Sequence, residues 1–172
     1  MPVYALGSAA PEIHPDAFVH PDAVIVGRVT LRAKANVWPC ATLRGDYGEI
    51  VIGEQTSVQD GCVLHADLDA ATVIGARCVL GHLAHLEGCR VGDGTLIGAG
   101  AVVLKGAEVG AGAMVGAGAL LTPGTVVPAR ARALGVPARV EPDHMPENAF
   151  ADGVALYVRN AERYRWELRR ID

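Results

Sequence analysis

Aromatic residues are scarce in this chain: 5 % of 172 residues, although 51 % of the chain is hydrophobic. A globular core of ordinary thickness leans on large rings to fill its volume. An interior with so few of them is expected to be thin and aliphatic. No Cys-x-x-Cys pair exists among the four cysteines, which argues against thiolate metal binding and against a disulfide scaffold in a chain of this size. No apolar run approaches a membrane span, so no membrane partner is expected. The formal charge of −4 lacks the basic surplus that nucleic acid requires. The N-terminus has no basic segment leading an apolar one, so a cytoplasmic location is expected.

What the chain does have is a period of six. Aliphatic residues fall at Ile13, Val19, Ile25; Leu31, Val37, Leu43; Ile52, Val58, Leu64; Ile74, Leu80, Leu86; Val91, Ile97, Val103; and Val109, Val115, Leu121. Irregular steps fall between these triplets and never inside one. Three sides therefore close one coil, and insertions sit at a corner. This is the mark of a parallel β-helix built from hexapeptide repeats, and the expected fold is all-β, a left-handed parallel β-helix with a C-terminal helix. Two residues before nearly every aliphatic stands a small residue, such as Ala35, Thr56, Cys62, Cys78, Cys89 or Ala101. Residues two apart on a strand share a face, so both columns point inward and the three cysteines are core filler. Cys40, beside the column, reads as a turn residue. Glycines just after the aliphatics (Gly53, Gly75, Gly92, Gly98, Gly110) are expected to supply permissive turns.

The tail changes period. Phe150, Val154, Tyr157, Ala161, Tyr164, Leu168 and Ile171 form the apolar stripe of an amphipathic helix. The expected organisation is a β-helix over 1–127, an irregular linker over 128–145 and a helix over 146–172, packed on the prism or on a neighbouring subunit. His14, His20 and His144 read as surface residues, and Trp38 and Trp166 as contact residues.

Polar groups concentrate on the outside of two middle coils. One place after the third-side aliphatic, successive coils read Val26, Arg44, His65, Glu87, Leu104. Two places after the second-side aliphatic they read Pro21, Pro39, Asp60, His82, Ala99. Coils stack at about the strand-pairing distance, ~4.8 Å. His65 and Glu87 are therefore expected to be neighbours, as are Asp60 and His82. Two histidines and a carboxylate are a zinc ligand set, but His82 and Glu87 lie roughly 16 Å apart along extended chain. A shared ion then needs His82 of a second copy, and such a head-to-tail contact closes into a ring.

At these residues the chain resembles the γ-class carbonic anhydrases. Arg44-Gly45-Asp46, Gln59-Asp60-Gly61 followed by His65, Gly81-His82, Gly88-Cys89 and Gly135-Val136-Pro137-Ala138-Arg139 are similar to that family's motifs, and the likeness runs from Ile13 to near Ile171. The resemblance implies a homotrimer with one divalent metal per interface, zinc foremost with iron or cobalt as alternatives. It implies metal ligands at His65 and His82, and Arg44 and Asp46 paired near the interface. It further implies hydration of carbon dioxide to bicarbonate by metal-bound hydroxide, a lyase activity, with Gln59 orienting the hydroxide and Asp60 supporting the site. The chain departs from the family where a third histidine belongs, at Glu87; a histidine stands instead at His85. Glu87 is the expected third ligand, His85 the alternative, and loss of the metal a third possibility. Two other readings stand beside it. One is a hexapeptide-repeat acyltransferase, although the loop from Ala66 to Ala71 has no histidine; the other is a non-catalytic trimeric assembly subunit.

Overall fold

The computed structural model describes residues 1–172. Short strands stack in parallel into a left-handed solenoid of about seven coils, with one helix at the C-terminus. The register follows the period of six. On the second side Val37 pairs with Val58, Val58 with Leu80 and Leu80 with Ile97. On the third side Leu43 pairs with Leu64, Leu64 with Leu86 and Leu86 with Val103. Both inward columns are buried, the large one through Ile25, Leu43, Leu64, Leu86 and Ile97, the small one through Ala35, Thr56, Cys62, Cys78 and Cys89. The polar members of the small column are not idle filler. Thr56 donates to the carbonyl of Gly75 (2.7 Å) and accepts from the amide of Cys78 (3.0 Å). Cys62 reaches the Gly81 carbonyl at 3.2 Å. These contacts satisfy buried backbone groups at corners where the ladder is interrupted.

The glycine columns differ from expectation in an instructive way. Gly53, Gly75, Gly92, Gly98 and Gly110 are not in the left-handed region. They are required because a Cβ there would meet the next coil, at 2.4 Å from the carbonyl carbon of Gly75 in the case of Gly53, and 2.3 Å from the amide nitrogen of Ala129 in the case of Gly110. The left-handed corner residues form a separate column two places further on, including Gly94, Gly100, Gly112 and Gly118. Cys40 is one of eight non-glycine residues with positive φ (60°), exposed at its corner as a turn residue.

The span 128–145, expected to be irregular, extends the sheet. Strand Arg132–Leu134 continues the second side in parallel with Met114–Val115, then turns back antiparallel to Arg139–Glu141. Ala131 and Ala133 continue the buried columns, which is why the solenoid runs past 127.

The helix covers Ala151–Glu167, shorter than the stripe suggests. It lies across strands Phe18–Val19, Asn36–Val37 and Ser57–Val58 on the second side. The scarce aromatics gather there: Trp38 packs edge-on against Tyr157 and Tyr164, with ring centroids at 5.5 and 5.1 Å. Arg165 donates to the carbonyls of Pro15, Asp16 and Ala17 in the first coil. No strand lies beyond that coil on this side, so the chain has nothing further to pack on. Leu168 turns extended, and Ile171 is exposed. His20, expected at the surface, is buried near Tyr164. Trp166, expected to make contact, is 84 % exposed.

Candidate functional site at the polar corners

The solenoid brings the polar residues together as two separate groups. The first runs across three coils of the third side. Arg44, His65 and Glu87 are register partners in successive strands. Arg44 pairs with Asp46 through a short contact. The two ring nitrogens of His65 face carboxylates on opposite sides, Nε2 to Asp46 Oδ1 at 3.0 Å and Nδ1 to Glu87 Oε1 at 3.1 Å. Glu87 in turn lies 3.5 Å from Nε2 of His85. Burial pushes the Asp46 carboxyl up, but hydrogen bonds from Arg44, from His65 and from its own backbone outweigh this and hold it below the usual carboxylate range. The side chains of His65 and Asp46 are mostly covered, and the edge of the Tyr47 ring stands over His65 at 6.0 Å between centroids. This group is a closed relay of charge pairs. Both ring nitrogens of His65 lie within hydrogen-bond distance of a carboxylate, so neither is open to a substrate.

The second group sits on the corner between the second and third sides. His82 and Asp60 are stacked neighbours as the register requires, with Nδ1 of His82 2.9 Å from Oδ2 of Asp60. Asp60 stands beside Nδ1, and Nε2 has no partner within the chain. Both side chains are about half exposed, so a solute can reach Nε2. Gln59, one residue before Asp60, is buried and its side chain makes no hydrogen bond within the chain. Tyr157 of the helix was read from the sequence only as part of the apolar stripe. Burial, and then the charge of Asp60, push its phenol upward. Its stripe position marks it as a packing residue, and only the docking of the helix shows that it feels the corner carboxylate.

His65, His82 and Glu87 do not gather round one point in this chain, which holds no cluster of three or more His, Cys, Asp or Glu side chains suited to an ion. In the observed arrangement both nitrogens of His65 are already taken by carboxylates. His65 Nδ1 and Glu87 Oε1, 3.1 Å apart, are spaced as two ligands of one ion would be, while His82 stands apart from them within the chain; no step below runs through a metal.

A solenoid of hexapeptide coils defines the class, a hexapeptide-repeat protein, here with a histidine–carboxylate pair on an exposed corner. The family profile for bacterial transferase hexapeptide (six repeats) matches residues 71–105 and 88–123. The carnitine operon protein CaiE of Salmonella newport (strain SL254) is 41 % identical over 140 residues, 81 % of this chain and 71 % of that protein. CaiE of Escherichia coli (strain K12) is 42 % identical over 98 residues, 57 % of this chain, and the matched stretch spans only 50 % of that protein. Among solved structures, a Bacillus cereus protein described provisionally as an acetyltransferase superposes with a TM-score of 0.92 at 30 % identity, covering 95 % of this chain and 96 % of its own. A hexapeptide transferase family protein from Anaplasma phagocytophilum gives 0.87 at 30 % identity, covering 95 % and 98 %. The chain belongs to the bacterial hexapeptide-repeat transferase family. This corrects the carbonic anhydrase expectation: the family model and both solved structures carry transferase names, the sequence relatives are named for a carnitine operon, and carbon dioxide hydration has no support among them. Motifs such as Arg44-Gly45-Asp46 and Gln59-Asp60-Gly61 sit on the solenoid, whose shape many activities share.

Proposed function

We propose that the protein is an acyl-coenzyme A-dependent acyltransferase that works at the His82 corner. The observation that carries the reading is the His82–Asp60 pair, which is closer and more exposed than the other half-open contact of the middle coils, His85–Glu87: 2.9 Å against 3.5 Å, with Nε2 of His82 left free. The transferase names of the family model and of the two similar solved structures support the reaction class.

In this reading Nε2 of His82 takes the proton from a hydroxyl or amine of the acceptor as its oxygen or nitrogen attacks the thioester carbonyl carbon. The carbon–sulfur bond then breaks, and the proton passes from His82 to the departing sulfur. Asp60 holds the ring and offsets the imidazolium charge that forms in between. The histidine sits on a corner rather than on the long loop that the acyltransferase alternative calls for, so the acceptor has to approach along the outside of the prism. The relay from Arg44 to His85 stiffens the neighbouring face rather than handling protons. A homotrimer belongs to the same proposal: the third side is uncovered by its own chain, and packing against another copy would enclose the His82 corner.

The test follows release of free thiol from acetyl-coenzyme A in the presence of a set of amine and hydroxyl acceptors. His82→Ala is expected to lower the rate by about 10²–10⁴-fold, and Asp60→Asn by a smaller factor. Light scattering is expected to give three times the 17.9 kDa chain mass. Equal rates for wild type and His82→Ala would refute the reading.

A further inference from the structure

The corner that carries His82 also carries an anomaly in the next residue. The left-handed column at this corner reads Cys40, Gly61, Leu83, Gly100 and Gly118, with φ between 60° and 68° throughout. Glycine meets this conformation without cost, whereas a side chain brings its Cβ against the following carbonyl. Leu83 is the one branched apolar side chain in the column, and it is 70 % exposed. Two unfavourable features thus coincide at one residue, beside the group proposed as the base. Nothing inside the chain accounts for them: the amide of Leu83 makes the same inter-coil hydrogen bond (to Asp60 O, 2.9 Å) that Gly100 makes to His82 O (2.8 Å), so the corner would close equally well with glycine. The side chain lies over bare backbone. Its Cδ2 would stand 2.6 Å from a Cβ at Gly61, so the missing side chain one coil back is what makes room for it.

We propose that Leu83 is the contact for the acyl chain of the donor, and that it selects acyl-coenzyme A thioesters longer than acetyl. This rests on the reading of His82 as the base of an acyl transfer. When Nε2 of His82 reaches the attacking atom, the thioester carbonyl is one forming bond away, and the carbons behind it fall within reach of the adjoining side chain. The other parts of the substrates do not match Leu83 chemically. Phosphates and adenine call for cations or ring stacking, the pantetheine arm for amide partners, and the acceptor for hydrogen bonds to its polar groups. Hydrocarbon is the part that an exposed leucine serves. Each methylene it covers should strengthen binding about fourfold.

The experiment measures equilibrium binding by calorimetry, and thiol release, for acetyl-, propionyl- and butyryl-coenzyme A with wild type, Leu83→Ala and Leu83→Gly. Wild type is expected to gain about fourfold in affinity and in kcat/KM per added methylene, and both variants are expected to lose that slope. Leu83→Gly also relieves the left-handed backbone, so its melting temperature should equal or exceed that of wild type, and a lost slope in that variant cannot be ascribed to unfolding. An unchanged slope in the variants overturns the proposal. So does an equal weakening of all three thioesters accompanied by a fall in sedimentation coefficient, which would place Leu83 against a second copy of the chain. A chain-length preference in binding without His82-dependent turnover keeps Leu83 and removes the base. Turnover lost in His82→Ala, with no chain-length preference, removes Leu83 and keeps the base. Failure of every thioester to bind overturns both.

Discussion

The coils from Thr42 to Cys89 and those from Arg90 to Leu121 share an interior and differ outside. Leu64 and Leu86 below, and Val103 and Leu121 above, stack in one buried column. On the outside, the place held by Asp60 and His82 below passes to Ala99 and Ala117 above, and the place held by His65 and Glu87 passes to Leu104 and Thr122. Interior and exterior are therefore specified independently. The inward columns close the prism whatever stands outside, and the outward columns are free to carry chemistry in two coils alone.

The largest expected effects break the shared interior. Leu64→Ala in the lower region and Ile97→Ala in the upper should each cost about 2–5 kcal/mol, read from urea unfolding. A cost confined to one region would contradict a common core. Thiol titration sharpens the same point. Burial pushes Cys62 and Cys78 up to about 11 and Cys89 up to about 12. Native protein should show one fast thiol, Cys40, and denatured protein four. These thiols have folded values above the unfolded 9.0. The stability they contribute should be intact below that pH and lost as pH rises toward their folded values, seen as alkaline unfolding that Cys→Ala variants delay. A second fast thiol in the native state would break the assignment of the small column to the interior.

A smaller effect belongs to the lower region's exterior. Asp46 is held below its ordinary value, so its contribution to stability is present above the unfolded value of 3.8 and is lost as pH falls through the lower folded value. Asp46→Asn should cost about 1 kcal/mol or less at pH 7, and the difference from wild type should vanish in acid; a difference that persists there would show packing rather than charge at work. The smallest effect is expected from Ala99→Ser, in the upper region's counterpart of the His82 place. It should change stability by less than about 0.5 kcal/mol and leave thiol release unchanged.

The period of six was enough to place both inward columns and the stacking of Asp60 with His82, because a hexapeptide register converts sequence spacing into neighbours. It was not enough for contacts that depend on how outward residues meet other elements. The helix docks on the second side through Phe18 and Trp38, which stand outside the hexapeptide columns, so the burial of His20 was hidden. The close-approach glycines and the left-handed glycines are both required, for different reasons, and spacing cannot tell a short inter-coil distance from a positive φ. The hairpin at Arg132–Glu141 was obscured by Pro137 and Pro142, which read as linker but flank paired strands. In the polar coils, Glu87 was the residue that departed from the carbonic anhydrase pattern. It stands 3.1 Å from Nδ1 of His65, on the side of the ring opposite Asp46, where the register of six places it.

The measurement that tests the account most directly compares thiol release from acetyl-coenzyme A by wild type, His82→Ala and His65→Asn under one set of acceptors. His82 has an open Nε2, and His65 has none. The account predicts a loss of about 10²–10⁴-fold for His82→Ala and less than about tenfold for His65→Asn, whose role is to bridge two carboxylates. A large loss at His65 with His82→Ala near wild type would contradict it, and would move the chemistry to the relay on the third side.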